Sequence, residues 1–209
     1  MPNMACMIVH GRAWSSPLPS SKHRFNAAAL SSEISSTPGT SREVARIYWD
    51  LDNLKPLPGP QGLRALTTLK ECMATACSAP DSLSACDVEL HAYCNAATLR
   101  RLSPTLRAAL VSGQGHFLTS TANFRQAVDQ AMTASMLEFA RLHGSHACIA
   151  LASGDQGFAK LLRYCRSLGC RTVAVCRGRP YSGKGRSSRW ARQPLQAASH
   201  YALSWDDVV

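Results

Sequence analysis

The sequence predicts an α/β domain, a three-layer α/β/α sandwich around a mostly parallel central sheet of Rossmann-like form. Three observations carry this. Five strand-like segments alternate with four helix-like ones between residues 44 and 176, which is the pattern of βαβ units. The segment Ala147–Ala152 is apolar throughout, as in a strand buried on both faces. And the apolar run Ile47-Tyr48-Trp49 stops abruptly at Asp50-Leu51-Asp52-Asn53, placing acids where open α/β sheets bind ligands, at a strand's carboxyl end.

Val44–Trp49 reads as the first strand. After the breakers between Pro56 and Pro60, Gln61–Ala76 places Leu63, Leu66, Leu69 and Met73 at helical spacing. Asp87–Tyr93 alternates through Val88, Leu90 and Ala92 and predicts the second strand. Ala97–Leu110 predicts a helix, bent or restarted at Pro104 after Ser103. His116–Thr119 predicts a short third strand. Phe124–Leu142 predicts a helix with the apolar stripe Val128, Met132, Met136 and Phe139. Ala147–Ala152 is the fourth strand. Gly157–Ser167 is the next helix, with Gly169 as its stop. Thr172–Cys176 is the fifth strand, and Tyr201–Trp205 predicts a last, edge strand.

The chain has 209 residues and a formal net charge of +10, with 45% hydrophobic residues, enough for one core and tails. No apolar run approaches the roughly 18–20 residues of a membrane-spanning helix, so no membrane partner is expected. A balance this basic favours a polyanion such as nucleic acid. Nine cysteines, none in a CxxC pair, read as small buried hydrophobes rather than a zinc site. Residues 1–42 are Ser-rich, basic and acid-poor, without the apolar core of a secretory signal. Two readings fit: an organelle transit peptide for chloroplast or mitochondrion, or an untargeted disordered tail on a cytoplasmic or nuclear protein. Residues 178–209 read as a basic tail with the edge strand inside it. Arg179, Lys184, Arg186 and Arg189, interleaved with Tyr181 and Trp190, suit phosphate contact and base stacking on RNA.

Three acidic positions fall on one edge of this layout. Asp50, with Asp52 and Asn53, follows the first strand; Asp155 follows the fourth; Asp129 lies early in the helix leading into the fourth. First and fourth strands are common neighbours around the reversal of strand order, so the three carboxylates converge in the predicted fold. Hard cations such as Mg²⁺ or Mn²⁺ take oxygen ligands, and clustered carboxylates repel unless a cation lies between them. Each residue also has an ordinary explanation. Asp52 and Asn53 suit a turn before Pro56, Ser153 and Asp155 suit a helix start, and Asp129 suits a solvated helix face. The shared edge favours a site over these.

Three segments, Ile47-Tyr48-Trp49-Asp50-Leu51-Asp52-Asn53, Ala127-Val128-Asp129-Gln130-Ala131-Met132 and Ile149-Ala150-Leu151-Ala152-Ser153-Gly154-Asp155-Gln156-Gly157-Phe158, together resemble the NYN domain, a branch of the PIN-like ribonuclease superfamily. The resemblance covers about residues 44–177, for a domain of 43–177. It implies metal-dependent cleavage of RNA, in processing or turnover, with Mg²⁺ or Mn²⁺ held by Asp50, Asp129 and Asp155, directly or through water, and with Asp52 in support. Asn53 would position a ligand or the substrate phosphate, and Arg125 would touch phosphate. Two departures reduce the negative charge: many relatives carry acids where this chain has Ser135 and Gly157. A catalytically silent RNA-binding module is the alternative. The Asp50-Leu51-Asp52 pair also resembles the first motif of haloacid dehalogenase-like phosphatases, where one Asp is a nucleophile and the other an acid–base. Leu54, Phe158 and Ala159 depart from that family's pattern. The oligomeric state is not legible.

Overall fold

The structure is a computed structural model that describes residues 43–56, 58–77, 87–124, 126–177 and 194–208. The expectations placed on residues 1–42, on Arg125, and on Arg179, Tyr181, Lys184, Arg186, Arg189 and Trp190 fall outside the described residues. Among the described residues, no helix is long and apolar enough to cross a membrane.

Among the described residues, six strands form one sheet in the order β3-β2-β1-β4-β5-β6. They are β1 (Val44–Asp50), β2 (Asp87–Asn95), β3 (His116–Thr121), β4 (Ala147–Ala152), β5 (Arg171–Cys176) and β6 (Tyr201–Ser204). Every pairing is parallel, so the sheet is wholly rather than mostly parallel. Among the described residues, six helices cover its faces: α1 (Pro60–Cys77), α2 (Ala96–Arg101), α3 (Pro104–Ser112), α4 (Ala127–His143), α5 (Ala159–Ser167) and α6 (Pro194–Ala198).

Strand alternation divides the core in two. On one face Ile47, Trp49, Leu90 and Val173 pack on Leu69 and Met73 of α1 and on Leu106 and Leu110 of α3. On the other, Tyr48, Ile149, Leu151 and Ala174 pack on Met132 and Met136 of α4, Leu162 of α5 and Leu195 of α6. β4 is buried at all six positions, which is why its sequence shows no alternation.

The helical segment expected over Ala97–Leu110, bent or restarted at Pro104, is restarted there as two helices, because the residue before proline is kept out of the α region. Ser103 sits at ψ 143° and its hydroxyl accepts from the Leu106 amide. Three element boundaries differ from the sequence reading, each for a local reason. The helix expected from Phe124 begins at Ala127, because Gln126 takes a left-handed φ of 68° that no helix accommodates. The helix expected from Gly157 begins at Ala159, after a 3₁₀ turn over Gln156–Phe158. And the folded unit runs past residue 177. β6 pairs with β5, and Leu195, Ala198, Trp205 and Val208 are buried in the two cores.

The topology that matters for function is the centre. β1 pairs with β2 on one side and β4 on the other, so the order in which strands are added to the sheet reverses at β1 while all strands stay parallel. The carboxyl end of β1, the turn after β4 and the start of α4 meet at that reversal.

Candidate active site

Asp50 ends β1 and is fully buried. Its carboxylate accepts four hydrogen bonds. Oδ1 takes the backbone amides of Asp52 (3.1 Å) and Asn53 (3.2 Å), and Oδ2 takes Asn53 Nδ2 (2.6 Å) and Ser153 Oγ (2.8 Å). A carboxylate has about four acceptor positions, so all are filled. Burial pushes its pKa above the ordinary value, and the bonds from Asn53 and Ser153 oppose that shift.

Ser153 joins the two strand ends. While its hydroxyl donates to Asp50, its oxygen accepts the amide of Asp155 at 3.0 Å. Asp155 in turn caps the 3₁₀ turn, Oδ1 accepting from the Gly157 amide at 2.7 Å. Asp52 reaches across to β2, accepting from Asn95 Nδ2 at 2.8 Å and from the Asn95 backbone amide at 3.2 Å. The Asn95 side-chain oxygen caps α2 through the Thr98 amide at 2.8 Å. Ser153 and Asn95 are therefore positioning residues; the sequence reading takes Ser153 as a helix cap and assigns Asn95 no role.

Asp129, in the first turn of α4, is half-buried. Its pKa is raised first by burial, then by the charges of Asp155, Asp50 and Asp52. Asp50, Asp52, Asn53, Asn95 and Asp129 line one cleft of about 510 Å³. Asp155 stands outside that lining, but its charge acts on Asp129 and its amide is tied to Asp50 through Ser153. The structure thus brings Asp50, Asp52, Asn53 and Asp129 to one cleft and Asp155 to its border. Among the described residues, no three Asp, Glu, His or Cys side chains stand as a ready metal-binding group.

The two positions lacking an acid are also placed. Ser135 lies below the cleft, its carbonyl accepting from Tyr48 Oη at 3.1 Å. At Gly157 an added Cβ would stand 3.1 Å from Asp155 Oδ1, so an acid there requires Asp155 to shift by a few tenths of an ångström.

The raised pKa of Asp129 fixes a sign. The folded state holds its proton more tightly than the unfolded chain does, so stability is fully present below the ordinary value of 3.8 and falls as pH rises through the raised value. Asp129→Asn is therefore expected to raise the Tm at pH 7 by roughly 1–3 °C. The gain should vanish as the pH falls below the ordinary carboxylate range. Thermal melts across pH check it; a destabilised variant at pH 7 would remove the repulsion argument.

A wholly parallel sheet with acids gathered at the carboxyl edge of its central strands defines an α/β domain with a candidate acidic site at the reversal of strand order. The NYN domain family model matches residues 44–187, and the chain belongs to the NYN domain family of PIN-like nucleases. In fold the chain is similar to a protein of unknown function from Vibrio parahaemolyticus, with a TM-score of 0.50 and 16% identity, over 82% of this chain and 98% of that one. No curated protein matches the sequence.

Proposed function

We propose that this NYN domain is an endoribonuclease-like enzyme that cleaves RNA with the help of Mg²⁺ or Mn²⁺, with Asp50, Asp129 and Asp155 as its acidic centre. The observation that carries the reading is the gathering of carboxylates at one sheet edge: the pKa of Asp129 is raised first by burial and then by the charges of Asp155, Asp50 and Asp52, a field that a divalent cation relieves. PIN-like nucleases as a group generally depend on divalent metal, and the donors here fit in kind, being all oxygen. Asp129 and Asp155 would hold the ion, with Asp52 beside them and Asp50 acting directly or through water. When bound, such an ion activates water and stabilises charge on the phosphodiester.

The chain's own residues contribute orientation. The four bonds to Asp50 fix the end of β1, and the Ser153 hydroxyl holds that end at a set distance from Asp155. Asn53 spends one Nδ2 proton on Asp50 and retains the other for a phosphate oxygen. The net charge of +10 favours a polyanionic substrate, and the arginines at 179, 186 and 189 with Lys184 and Trp190, together with Arg125, are assigned to RNA contact.

A second reading, a catalytically silent RNA-binding module, is favoured by one specific observation: every acceptor position of Asp50 is filled by the protein itself. The two readings separate in one experiment. Purified full-length chain is given single-stranded RNA in Mg²⁺ or Mn²⁺, beside Asp129→Asn and Asp155→Asn. The expected result is metal-dependent cleavage that drops by at least about 100-fold in each variant, since each removes charge stabilisation worth several kcal/mol. RNA bound but uncut by the parent favours the silent module, and cleavage unchanged in both variants removes the proposed centre. Metal binding has its own readout. At about 100 times its Kd an ion adds roughly 2.7 kcal/mol of stability, so Mn²⁺ should raise the Tm of the parent and not of Asp129→Asn.

A further inference from the structure

The acidic centre occupies only one side of the cleft. The other side is formed by the turn between β3 and α4, where Asn123, Phe124 and Gln126 line the same cavity. Phe124 is 61% exposed, although it is a large aromatic beside a polar hollow. Gln126 is the one non-glycine residue with positive φ among the described residues, a left-handed conformation that residues with a Cβ rarely adopt. Strain of this kind motivates a functional reading when a cavity adjoins it.

The polar groups on this side have spare capacity of mixed sign. Asn123 Oδ1 accepts from the Ala97 amide at 3.1 Å, leaving its Nδ2 protons to donate. Asn53 commits Nδ2 to Asp50, leaving Oδ1 to accept. Gln126 makes no side-chain cap to α4, leaving its amide to do both. A phosphate presents acceptors only, and would leave Asn53 Oδ1 and the Gln126 side-chain oxygen without a donor. A nucleobase edge presents donors and acceptors together, and its faces stack on an aromatic ring. The cleft's volume of about 510 Å³ is within the usual range for a ligand of that class.

We propose that this side of the cleft holds an unpaired nucleobase of single-stranded RNA, stacked on Phe124 and hydrogen-bonded by the amides of Asn123 and Gln126. The inference rests on the RNA reading of the acidic centre and adds to it a base-stacking subsite at Phe124. A base in a duplex keeps both faces stacked and its pairing edge occupied, so duplex RNA does not enter. The seated base fixes the register of the strand, and the adjoining phosphate faces the carboxylates.

The test is binding, not cleavage. A single-stranded oligoribonucleotide with one 2-aminopurine base is titrated with the full chain in Ca²⁺, with the matching duplex alongside. Stacking on Phe124 should quench the fluorescence. Phe124→Ala should weaken single-strand affinity by about tenfold, within the range for losing one base–aromatic stack, and abolish the quench. Phe124→Trp should keep both, and duplex affinity should not respond to either substitution. Because Phe124 is exposed, both variants should melt with the parent. Equal single-strand binding by Phe124→Ala, or a Phe124→Trp chain as weak as Phe124→Ala, overturns the stacking subsite and leaves the acidic centre standing. A parent chain that binds no single strand overturns both.

Discussion

Asp50→Ala is expected to destabilise the fold by about 3 kcal/mol and to abolish any cleavage. The substitution strips the acceptor from four donors at once: the amides of residues 52 and 53, Asn53 Nδ2 and Ser153 Oγ. A buried donor left unsatisfied costs about 1–3 kcal/mol. The total is less than four such terms, because the turn at 52–53 reaches solvent and because the buried charge of Asp50, whose pKa is raised, is itself unfavourable. Asp50→Asn retains one oxygen but points an amide group at two donors, so it should lose stability as well as activity. Loss of cleavage at Asp50 alone is therefore ambiguous, and Asp129→Asn and Asp155→Asn are the cleaner tests of the centre. Urea unfolding measures the stability change; an Asp50→Ala chain with the parent's midpoint would show that the four bonds do not organise the strand end.

Trp205→Ala should cost about 3–5 kcal/mol, the range for deleting a buried large aromatic. Trp205 is 3% exposed, and its ring lies 5.5 Å from that of Trp49 at an interplanar angle of 52°. Such a tilted pair adds about 0.5–1.5 kcal/mol beyond its buried area. Trp49 is one residue before Asp50, and its Nε1 donates to the Leu54 carbonyl at 2.9 Å, closing the turn that carries Asp52 and Asn53. Loosening Trp49 should therefore lower cleavage as well as the unfolding midpoint, and Trp205→Phe should fall between. An unchanged midpoint in Trp205→Ala would mean that the C-terminal segment does not complete the core.

The elements of this fold were legible where one residue type repeats with one period. The five strands and the four helical segments between them carry such periods, and the unbroken apolar β4 identified the sheet's interior. The acidic edge was legible for a related reason: Asp50 and Asp155 each interrupt an apolar run abruptly. What escaped the sequence depends on pairs far apart in the chain. The Ser153–Asp50 hydrogen bond spans 103 positions and the Asn95–Asp52 bond spans 43. Neither residue differs in type from an ordinary cap, so spacing could not distinguish the clamp from the cap. The start of α4 was misplaced because nothing in Asn123-Phe124 marks the next backbone turn as left-handed. The apolar stripe continues helical spacing into a turn whose geometry is set by its neighbours. The C-terminal segment was read as a tail because basic residues dominate 178–192, although Tyr201–Trp205 gave the strand that closes the sheet.

The pairing of Trp49 with Trp205 also bears on synthesis. Trp49 emerges among the first residues of the domain and its partner among the last. Parallel pairings between distant segments form slowly, since the intervening loop must close before any contact rewards it. A chain still on the ribosome thus carries an uncovered indole at the centre of its sheet, next to the acidic turn. Premature termination anywhere in residues 194–204 leaves that surface open, and exposed apolar strands of this kind favour association with other chains. Residues 205–208 thus decide whether the Trp49 indole is covered.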